Sequence, residues 1–493
     1  MDFLDPAKRQ AHIRRLFLGY FLIGIAIALA STILVVLSNG YDVDRKTGKV
    51  IQNGLIFADS APESSTIFLN GKDNGGTDKR LTVPAGKYDI ELRRKGYDTW
   101  KKSVSLDGGS IERLVYPRMF PTKLTSAQTK LYDTAPAFST QSPDRRWLLV
   151  AQPGTAGVFD VFDTENIDRA PTVLTLPAKI LTTAATPTDQ SLELVEWSTD
   201  NRHVLLKHTF AQSTEFVVVD RVEPQSTVNV NTLFKLQPTK VSLRDKRFDR
   251  LYLYTDATKL LQTADIKTGA VANLLTNVTN FKSYQENIVL YSSEDPALPG
   301  KTTVSIWDNG KSYTLRVHQA GAVLLDLARF DGEMFVTTAS VPEGRMYIFK
   351  DPLVKLKRVE RTEVTPFAVM KIANPVKLSF STNTRFIATQ SGSTFAVYDF
   401  EDNRRFNFVA SGTVPVELKA TWMDGHRLLL NQDSKVVVFE FDGNNRRTLS
   451  TIAPGMIPVF DRDYERLYTL SPLKTDPTKT ELVRASLKLN LKP

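Results

Sequence analysis

A run of 22 residues without a charged side chain, Leu16 to Leu37, most restricts what this chain of 493 residues can form. At about 1.5 Å of rise per residue, a helix of this length covers about 33 Å, which is enough to cross the hydrocarbon core of a bilayer. A helix also satisfies its own backbone hydrogen bonds, as lipid requires. We therefore predict a single transmembrane helix over residues 16–37.

The charges before this segment predict its orientation. Residues 1–15 form a basic tail that carries Lys8, Arg9, Arg14 and Arg15. Positive charge ahead of a first span keeps the N-terminus in the cytoplasm. We therefore expect a single-pass protein of the cell membrane, with its N-terminus cytoplasmic and the rest of the chain extracytoplasmic.

Two other interpretations of the apolar segment compete with an uncleaved anchor. Small residues at Ala28 and Ala30 permit cleavage after Ala30, as in a signal peptide. However, the apolar run continues to Leu37, whereas signal-peptide apolar regions span about 7–15 residues. A buried core helix is the third interpretation, and the uninterrupted length and the basic flank argue against it.

Composition excludes several classes of chemistry. The chain has no cysteine and five histidines, which rules out disulfides, thiolate metal sites and a cysteine nucleophile. The net charge of +9 is spread over a long chain and favours anionic envelope polymers or lipid head groups. No basic stripe interleaved with aromatic residues stands out, so no nucleic-acid partner is expected.

Residues 38–53 are polar and predict a stalk after the membrane. Asp42, Asp44 and Gly48 within it faintly resemble a calcium loop, but their spacing does not fit one. Residues 54–116 then alternate short apolar runs with turn signals, among them Asn70-Gly71, a strong hairpin pair because both residues tolerate positive φ. This pattern predicts a small β-sandwich.

The turn residues of this segment resemble those of the PEGA domain of bacterial surface proteins. The matching positions, in order, are Gly54, Pro62-Glu63, Asn70-Gly71-Lys72, Gly76-Thr77, Pro84-Ala85-Gly86-Lys87-Tyr88 and Lys95-Gly96-Tyr97. Two departures are Pro62-Glu63-Ser64-Ser65 in place of the name-giving tetrapeptide, and Thr77-Asp78 in place of Thr-Pro. The resemblance implies a noncatalytic envelope module.

Three aromatic residues of the domain have two interpretations. Tyr88, Tyr97 and Trp100 are expected to fill or cap its small core. The alternative is that Tyr97 and Trp100 stack against carbohydrate.

After a predicted linker at 117–134, residues 135–493 repeat weakly. The unit is an apolar strand, a polar turn, a strongly apolar strand and a further apolar strand, and about eight copies occur at a spacing of about 45 residues. Seven copies remain possible if one is a misread pair of strands. Within the turns, Asp144, Asp200 and Asp424 are expected to accept hydrogen bonds from nearby backbone N–H groups. Thr172 to Pro187 is expected to form an extended loop.

A repeat of this length is typical of a β-propeller blade, because stacking four-stranded sheets around an axis buries both faces of each sheet. The pattern is similar to that of WD-type and TolB-type β-propellers, in its periodicity more than in any strict motif. The predicted fold class is therefore all-β with one N-terminal transmembrane helix, a PEGA-like β-sandwich and a C-terminal β-propeller.

A search for reactive residues yields no catalytic, cofactor-binding or metal site. His203 and His208 are five apart in a strand-like run, so they face opposite sides of the strand and do not bind one metal together. There is no G-x-S-x-G elbow, P-loop, G-x-G-x-x-G or H-E-x-x-H motif. Paired carboxylates for glycoside hydrolysis stay open, because their positions in the fold are unknown.

The sequence favours a membrane-anchored binding or scaffolding protein of the bacterial cell envelope, without enzymatic activity or cofactor. Its expected partners are the membrane, through Leu16–Leu37, and a protein or an envelope polymer such as peptidoglycan or an anionic glycan. One alternative is an exported hydrolase or lyase with its site in the propeller channel. Another is an accessory subunit whose small residues Gly19, Gly24, Ala28 and Ser31 pack against a second helix. The ligand, the biological process and the oligomeric state stay open.

Overall fold

The computed structural model of the chain describes residues 6–38, 40–43, 50–182, 190–294, 297–358 and 364–489. The chain divides into two compact units, residues 1–123 and 124–493. The predicted class, an all-β protein with one N-terminal apolar helix, is confirmed. Of the residues that faintly resemble a calcium loop, Asp44 and Gly48 lie outside the described ranges.

The N-terminal helix is longer than the predicted span. Helix α1 runs over Pro6–Ser38, and its portion Arg9–Ser38 is long and apolar enough to cross a membrane. Residues 6–15, predicted as a separate tail, continue the same helix. Charged Arg9, Arg14 and Arg15 interrupt no backbone hydrogen bond, so the helix extends through them to Pro6.

Two four-stranded sheets follow in the first unit. The first pairs β1, β2 and β5 in that order, with β8 parallel to β2, and the second has the order β4-β3-β6-β7. The strands are β1 (Tyr41–Val43), β2 (Val50–Ala58), β3 (Thr66–Leu69), β4 (Lys72–Gly76), β5 (Lys79–Pro84), β6 (Gly86–Arg93), β7 (Trp100–Leu106) and β8 (Ile111–Leu114).

The predicted hairpin at Asn70-Gly71 is confirmed. It joins β3 to β4, with Leu69 opposite Lys72, and both turn residues have positive φ, 48° at Asn70 and 79° at Gly71. A two-residue turn of this type matches the right-handed twist of the paired strands, and glycine adopts its second position without steric cost. The two turn residues therefore fix the position of this hairpin in the chain.

The aromatic residues of this domain belong to its core. The exposed fraction is 2% for Trp100 and 8% for Tyr97, so neither ring offers a face on which a sugar could stack. Trp100 packs edge-on against Tyr116, with 6.2 Å between ring centroids. Tyr88 is partly exposed, and its hydroxyl donates a hydrogen bond to the Pro84 carbonyl at 2.7 Å. The core interpretation of Tyr97 and Trp100 is the one that their burial supports.

The predicted stalk at 38–53 contains regular structure. Strand β1 lies within it, and β2 begins at Val50, opposite β1 in an antiparallel pair. A stretch read as polar linker therefore adds an edge strand to the first sheet. Its few apolar residues left no alternating pattern to detect.

The described residues of the second unit contain eight four-stranded antiparallel sheets. Seven of them use four strands that are consecutive in the chain. Sheet 1 has β10 (Ser139–Gln141), β11 (Trp147–Ala151), β12 (Val158–Asp163) and β13 (Thr172–Thr175). Sheet 2 has β14 (Gln190–Trp197), β15 (His203–Phe210), β16 (Ser213–Asp220) and β17 (Val228–Asn229). Sheet 3 has β18 (Lys240–Leu243), β19 (Arg250–Thr255), β20 (Leu260–Asp265) and β21 (Val271–Leu275). Sheet 4 has β22 (Val278–Tyr284), β23 (Ile288–Ser293), β24 (Lys301–Asp308) and β25 (Lys311–Gln319).

The remaining sheets continue the pattern, with short helices α2 (Val230–Phe234) after β17 and α3 (Pro352–Arg358) after β28. Sheet 5 has β26 (Val323–Phe330), β27 (Glu333–Ser340), β28 (Arg345–Lys350) and β29 (Ala368–Lys371). Sheet 6 has β30 (Lys377–Phe380), β31 (Phe386–Ser391), β32 (Thr394–Asp399) and β33 (Arg404–Val409). Sheet 7 has β34 (Thr421–Trp422), β35 (Arg427–Gln432), β36 (Lys435–Glu440) and β37 (Arg447–Thr451). Sheet 8 has β38 (Val459–Phe460), β39 (Arg466–Leu473), β40 (Asp476–Ser486) and β9 (Ser126–Tyr132).

Hydrogen bonds join each sheet to the next at its first strand or beside it, and the last sheet to the first. The donor and acceptor residues, taken around the ring, are Trp197 to Thr140, Leu243 to Glu196, Lys240 to Phe281, Asn280 to Val323, Phe380 to Asp326, Trp422 to Ser379, Asn431 to Met456 and Gln141 to Phe460. The first strands therefore surround a common axis. Buried apolar clusters fill the spaces between neighbouring sheets. This is the arrangement of a β-propeller, with the first strands lining a central channel.

An N-terminal strand closes the ring. Strand β9 pairs antiparallel with β40 and completes sheet 8. The buried carboxylate of Asp160, on β12 of sheet 1, accepts hydrogen bonds from Lys130 Nζ at 2.6 Å and from the Tyr132 hydroxyl at 2.8 Å. Gln152 donates a third hydrogen bond to this carboxylate at 2.9 Å. Asp160 thus fastens the closing strand to the first sheet.

Two sequence expectations differ from this arrangement. The predicted linker at 117–134 contains β9, which the propeller needs for its last sheet. The predicted loop from Thr172 to Pro187 begins with β13, the outer strand of sheet 1, while residues 183–189 lie outside the described ranges. Each strand has a single buried apolar residue, Tyr132 in β9 and Leu174 in β13, so neither has the apolar pattern of a buried strand.

Replacing Asp160 with alanine tests the closure. The change leaves the Lys130 ammonium and the Tyr132 hydroxyl without their shared acceptor, so we expect the free energy of unfolding to fall by about 2–4 kcal/mol. Denaturant unfolding of the full chain in detergent, followed by circular dichroism, measures it. The matched control is Asp133→Ala, whose side chain is 94% exposed and should change stability by less than about 0.5 kcal/mol. Equal stability of the two variants would show that Asp160 does not hold the closing strand.

Candidate binding channel

The repeated turn between the first and second strands is built as predicted. One carboxylate oxygen of Asp200 accepts from the backbone N–H groups of Arg202 and His203, at 2.9 and 3.0 Å. Asp424 accepts from His426 and Arg427 in the same way, at 2.8 and 2.9 Å, and Asp144 accepts from Arg146 at 3.1 Å. The predicted turn-capping role of these three aspartates is confirmed. The carboxylates of these aspartates already accept hydrogen bonds within the turns.

In some of the sheets, an aspartate at the end of the third strand forms an ion pair with the arginine that follows this turn. In sheet 6, Arg385 donates to both oxygens of Asp399, at 2.9 and 2.6 Å, and in sheet 2 Arg202 bonds Asp220 likewise. Burial raises the pKa of Asp220, but hydrogen bonds from Arg202 and from backbone N–H groups outweigh it and bring the pKa to about 2. These charged pairs brace the turns and are not placed to react with a substrate.

The two histidines singled out by spacing have structural partners. His203 contacts Asp200 through Nδ1 at 2.6 Å and stacks on Phe248, with 3.7 Å between ring centroids. His208 is fully buried and lies 2.8 Å from Glu215 and 3.2 Å from Gln190. Each ring is engaged by a different set of side chains. Among the described residues, no group of three or more His, Cys, Asp or Glu is arranged to hold a metal ion.

One buried cluster has the connectivity of a hydrolytic triad. His318 Nδ1 lies 3.1 Å from a carboxylate oxygen of Glu343, and its Nε2 lies 3.3 Å from the Thr338 hydroxyl. Thr338 is fully buried and His318 is 1% exposed, so a substrate has no access to this hydroxyl. Burial lowers the pKa of His318, while Glu343 opposes that shift. The cluster is a buried polar network with a neutral histidine.

Paired carboxylates of a glycosidase were the other open possibility. A surface hollow of about 340 Å³ between sheets 3 and 4 is lined by three acids, Asp245, Glu286 and Asp308. Glu286 forms ion pairs with Arg244 and Arg250, and Asp308 pairs with Lys357. Glu286 and Asp308 are therefore each already paired with basic side chains of the fold.

Four lysines converge on the central channel. Lys240 lies on β18, Lys282 on β22, Lys377 on β30, and Lys419 just before β34, so they come from sheets 3, 4, 6 and 7. We call these four residues the lysine arc. Lys282 forms an ion pair with Asp326 on the first strand of sheet 5, at 3.3 Å. Lys240 lies over the Phe281 ring, 4.5 Å from its centroid.

The charges of the lysine arc act on Lys377 and on Lys240. Burial lowers the pKa of Lys377, and the charges of Lys282 and Lys419 lower it further, against the opposing effect of Asp326. Burial likewise lowers the pKa of Lys240, with Lys282 adding to the shift and Glu196 opposing it. The effect of Lys282 and Lys419 on Lys377, and of Lys282 on Lys240, indicates a local excess of positive charge. An anion placed among them would relieve it.

Sequence reasoning missed the lysine arc, although a signal was present. Lys240 lies three residues before the last residue of its first strand, Leu243, and Lys377 stands in the same relation to Phe380. Aligning the repeats on their turns would have put these lysines in one column. The alignment would not have shown that the column faces a channel, because that depends on closure of the ring.

The comparison with known protein families supports the first domain. Residues 53–115 match the PEGA domain family, and this interval spans most of the strands of the first unit. No curated protein matches the chain. The sequence-based resemblance to PEGA domains is confirmed, and its boundary agrees closely with the predicted 54–116.

Solved propeller structures are similar to the chain in fold. Hsv2 of Kluyveromyces lactis has 13% identity and a TM-score of 0.41, covering 64% of this chain and 98% of its own. The Cps50 (Swd1) β-propeller domain of Myceliophteria thermophila has 12% identity and a TM-score of 0.38, covering 74% and 99%. An oligogalacturonate lyase in complex with manganese has 10% identity and a TM-score of 0.39, covering 74% and 98%. At these identities the similarity extends to the fold alone.

Acidification tests the neutral state of His318. Its pKa is lower in the folded chain than in the unfolded chain, so the unfolded state binds the proton more tightly. The contribution of His318 to the free energy of unfolding is therefore fully present above the unfolded-state pKa of about 6.5, and it is lost as the pH falls below that value. We expect His318→Gln to flatten the loss of stability between pH 8 and pH 5, measured by denaturant midpoints. His12→Gln, on the N-terminal helix, is the matched control, and a slope unchanged in His318→Gln would contradict the assignment.

Proposed function

We propose that this chain is a membrane-anchored, extracytoplasmic binding protein of the bacterial cell envelope, with no catalytic activity. The helix α1 attaches it to the membrane, the PEGA domain follows, and the propeller holds a partner. The observation that carries the proposal is the propeller channel, where charged side chains of neighbouring first strands meet, as Lys282 and Asp326 do at 3.3 Å, while the triad-like cluster of His318 is buried inside the fold.

The orientation of the anchor follows from charge and from the PEGA domain. Lys8, Arg9, Arg14 and Arg15 precede the apolar segment, and cytoplasmic loops carry an excess of such residues. A PEGA domain after the span supports an extracytoplasmic body, since the family resembles a surface module. Both features favour a cytoplasmic N-terminus.

Cysteine labelling tests this topology cleanly, because the natural chain has no cysteine. A single cysteine at Asp133, which is highly exposed, should react with a membrane-impermeant maleimide in intact spheroplasts. The matched variant Ala11→Cys should react only after the membrane is permeabilised. Labelling of Ala11→Cys in intact spheroplasts, or protection of Asp133→Cys, would overturn the orientation.

Photocrosslinking from the channel separates a binding role from an enzymatic one. A photoreactive amino acid at Leu194 on a first strand is compared with one at Val173 on an outer strand, in intact cells. A binding role predicts one stoichiometric crosslinked product from the first position and none from the second. Release of a cleaved glycan or peptide by the purified chain would favour the hydrolase or lyase alternative instead.

A further inference from the structure

The lysine arc lies at a single level of the channel. Lys240, Lys377 and Lys419 each lie three residues before the last residue of their first strands, and Lys282 lies two residues before the end of β22. At about 3.3 Å per residue along a strand, these positions fall within about one residue of a common height. Charges spread over four sheets therefore form a partial belt around the channel.

Each of the other four sheets carries an apolar residue at the equivalent position, and in sheet 5 this residue is Leu327, which is buried. The residues three before the ends of β10, β14 and β38 are Phe138, Leu194 and Ile457, from the adjacent sheets 1, 2 and 8. We call these three residues the apolar arc. Leu194 is 36% exposed and Ile457 is 41% exposed, while Phe138 is half-buried. Phe138 packs against the core between sheets 1 and 2, with 6.0 Å between its ring centroid and that of Phe159, so Leu194 and Ile457 provide the exposed apolar surface of the arc.

The carboxylates near the lysine arc do not neutralise it. Asp326 is shared between Lys282 and the backbone N–H groups of Leu327 and Phe380. Glu196 accepts a hydrogen bond from the Leu243 N–H and pairs with Lys246. Within the described residues, Lys377 and Lys419 have no ion pair. The belt therefore keeps an excess of positive charge on one side.

The aromatic side chains argue against a glycan as the occupant. Sugar rings are commonly held on exposed aromatic faces. Among the described residues of the propeller, Phe367 is the one aromatic residue counted as exposed, at 41%. It lies just before β29, the outer strand of sheet 5, and so away from the channel. The channel offers cations and aliphatic side chains in place of an exposed aromatic platform.

We propose that the channel binds an extended acidic peptide segment, whose carboxylates contact the lysine arc and whose apolar side chains contact the apolar arc. The inference rests on the proposed binding function and names the class of partner. A peptide combines both kinds of side chain on one chain, which a uronate polymer does not. Complementary charge gives specificity and rapid association, and apolar contact adds affinity.

The test uses the full chain in lipid nanodiscs and a fluorescent peptide of repeated Glu-Glu-Leu triplets. Fluorescence anisotropy should show saturable binding that weakens as ionic strength rises, because exposed charges are screened. We expect the double variant Lys240→Gln/Lys377→Gln to bind the peptide at least about tenfold more weakly. The matched control Lys371→Gln/Lys435→Gln removes the same charge from outer positions and should change the affinity less than about twofold.

A second variant tests the apolar arc separately from charge. Ile457→Ala should weaken binding of the Glu-Glu-Leu peptide about three- to tenfold through lost apolar contact. It should leave the affinity for an all-glutamate peptide of equal charge unchanged. Equal losses for both peptides would contradict the role of Ile457.

Three outcomes would overturn the proposal. These are unchanged binding by the channel double variant, an equal loss in the control double variant, and equal affinity for an oligogalacturonide, which would favour a glycan. Thermal unfolding checks that the variants fold, and removing mutually repelling lysines should not lower the midpoint. A negative result in the peptide-binding experiment does not affect the cysteine-labelling experiment. Failure of the peptide proposal can therefore be distinguished from failure of the proposed membrane-anchored role.

Discussion

The propeller depends on the closing of its ring of sheets. A four-stranded sheet has two apolar faces, and each sheet here buries them against its neighbours. An open row would leave two sheet faces in water, whereas a ring leaves neither face exposed. Closure requires that sheet 8 be complete and be attached to sheet 1. Strand β9 and the carboxylate of Asp160 supply both requirements.

The architecture could be predicted from the sequence because the residues of each repeat are sufficient to indicate its turn and its strands. A turn with a capping aspartate, as at Asp200, precedes a strongly apolar strand such as Val204 to Leu206, and both signals lie within a few residues. The strands that the sequence did not predict, β1, β9 and β13, form because each pairs with a neighbouring strand. Strands β9 and β13 each bury a single apolar side chain, Tyr132 and Leu174, so pairing with a partner strand is what makes them regular.

The candidate site was beyond the sequence for a related reason. Lys240 and Lys377 are 137 positions apart, and nothing local marks either as more than a solvated strand end. Their proximity follows from the closed ring, which places equivalent positions of distant repeats around one axis. The cluster of His318, Glu343 and Thr338 is the opposite case. Its hydrogen bonds resemble those of a hydrolytic triad, but the burial of His318 and Thr338 denies a substrate access to them.

Because β9 comes before all the other propeller strands and β40 comes after them, the two ends of this body meet in one sheet. A chain that is still being synthesised already contains β9 but has no partner strand for it. The ring stays open until β40, which ends at Ser486, has been made. A product truncated before β40 would consequently have an incomplete sheet 8 and an unsealed ring.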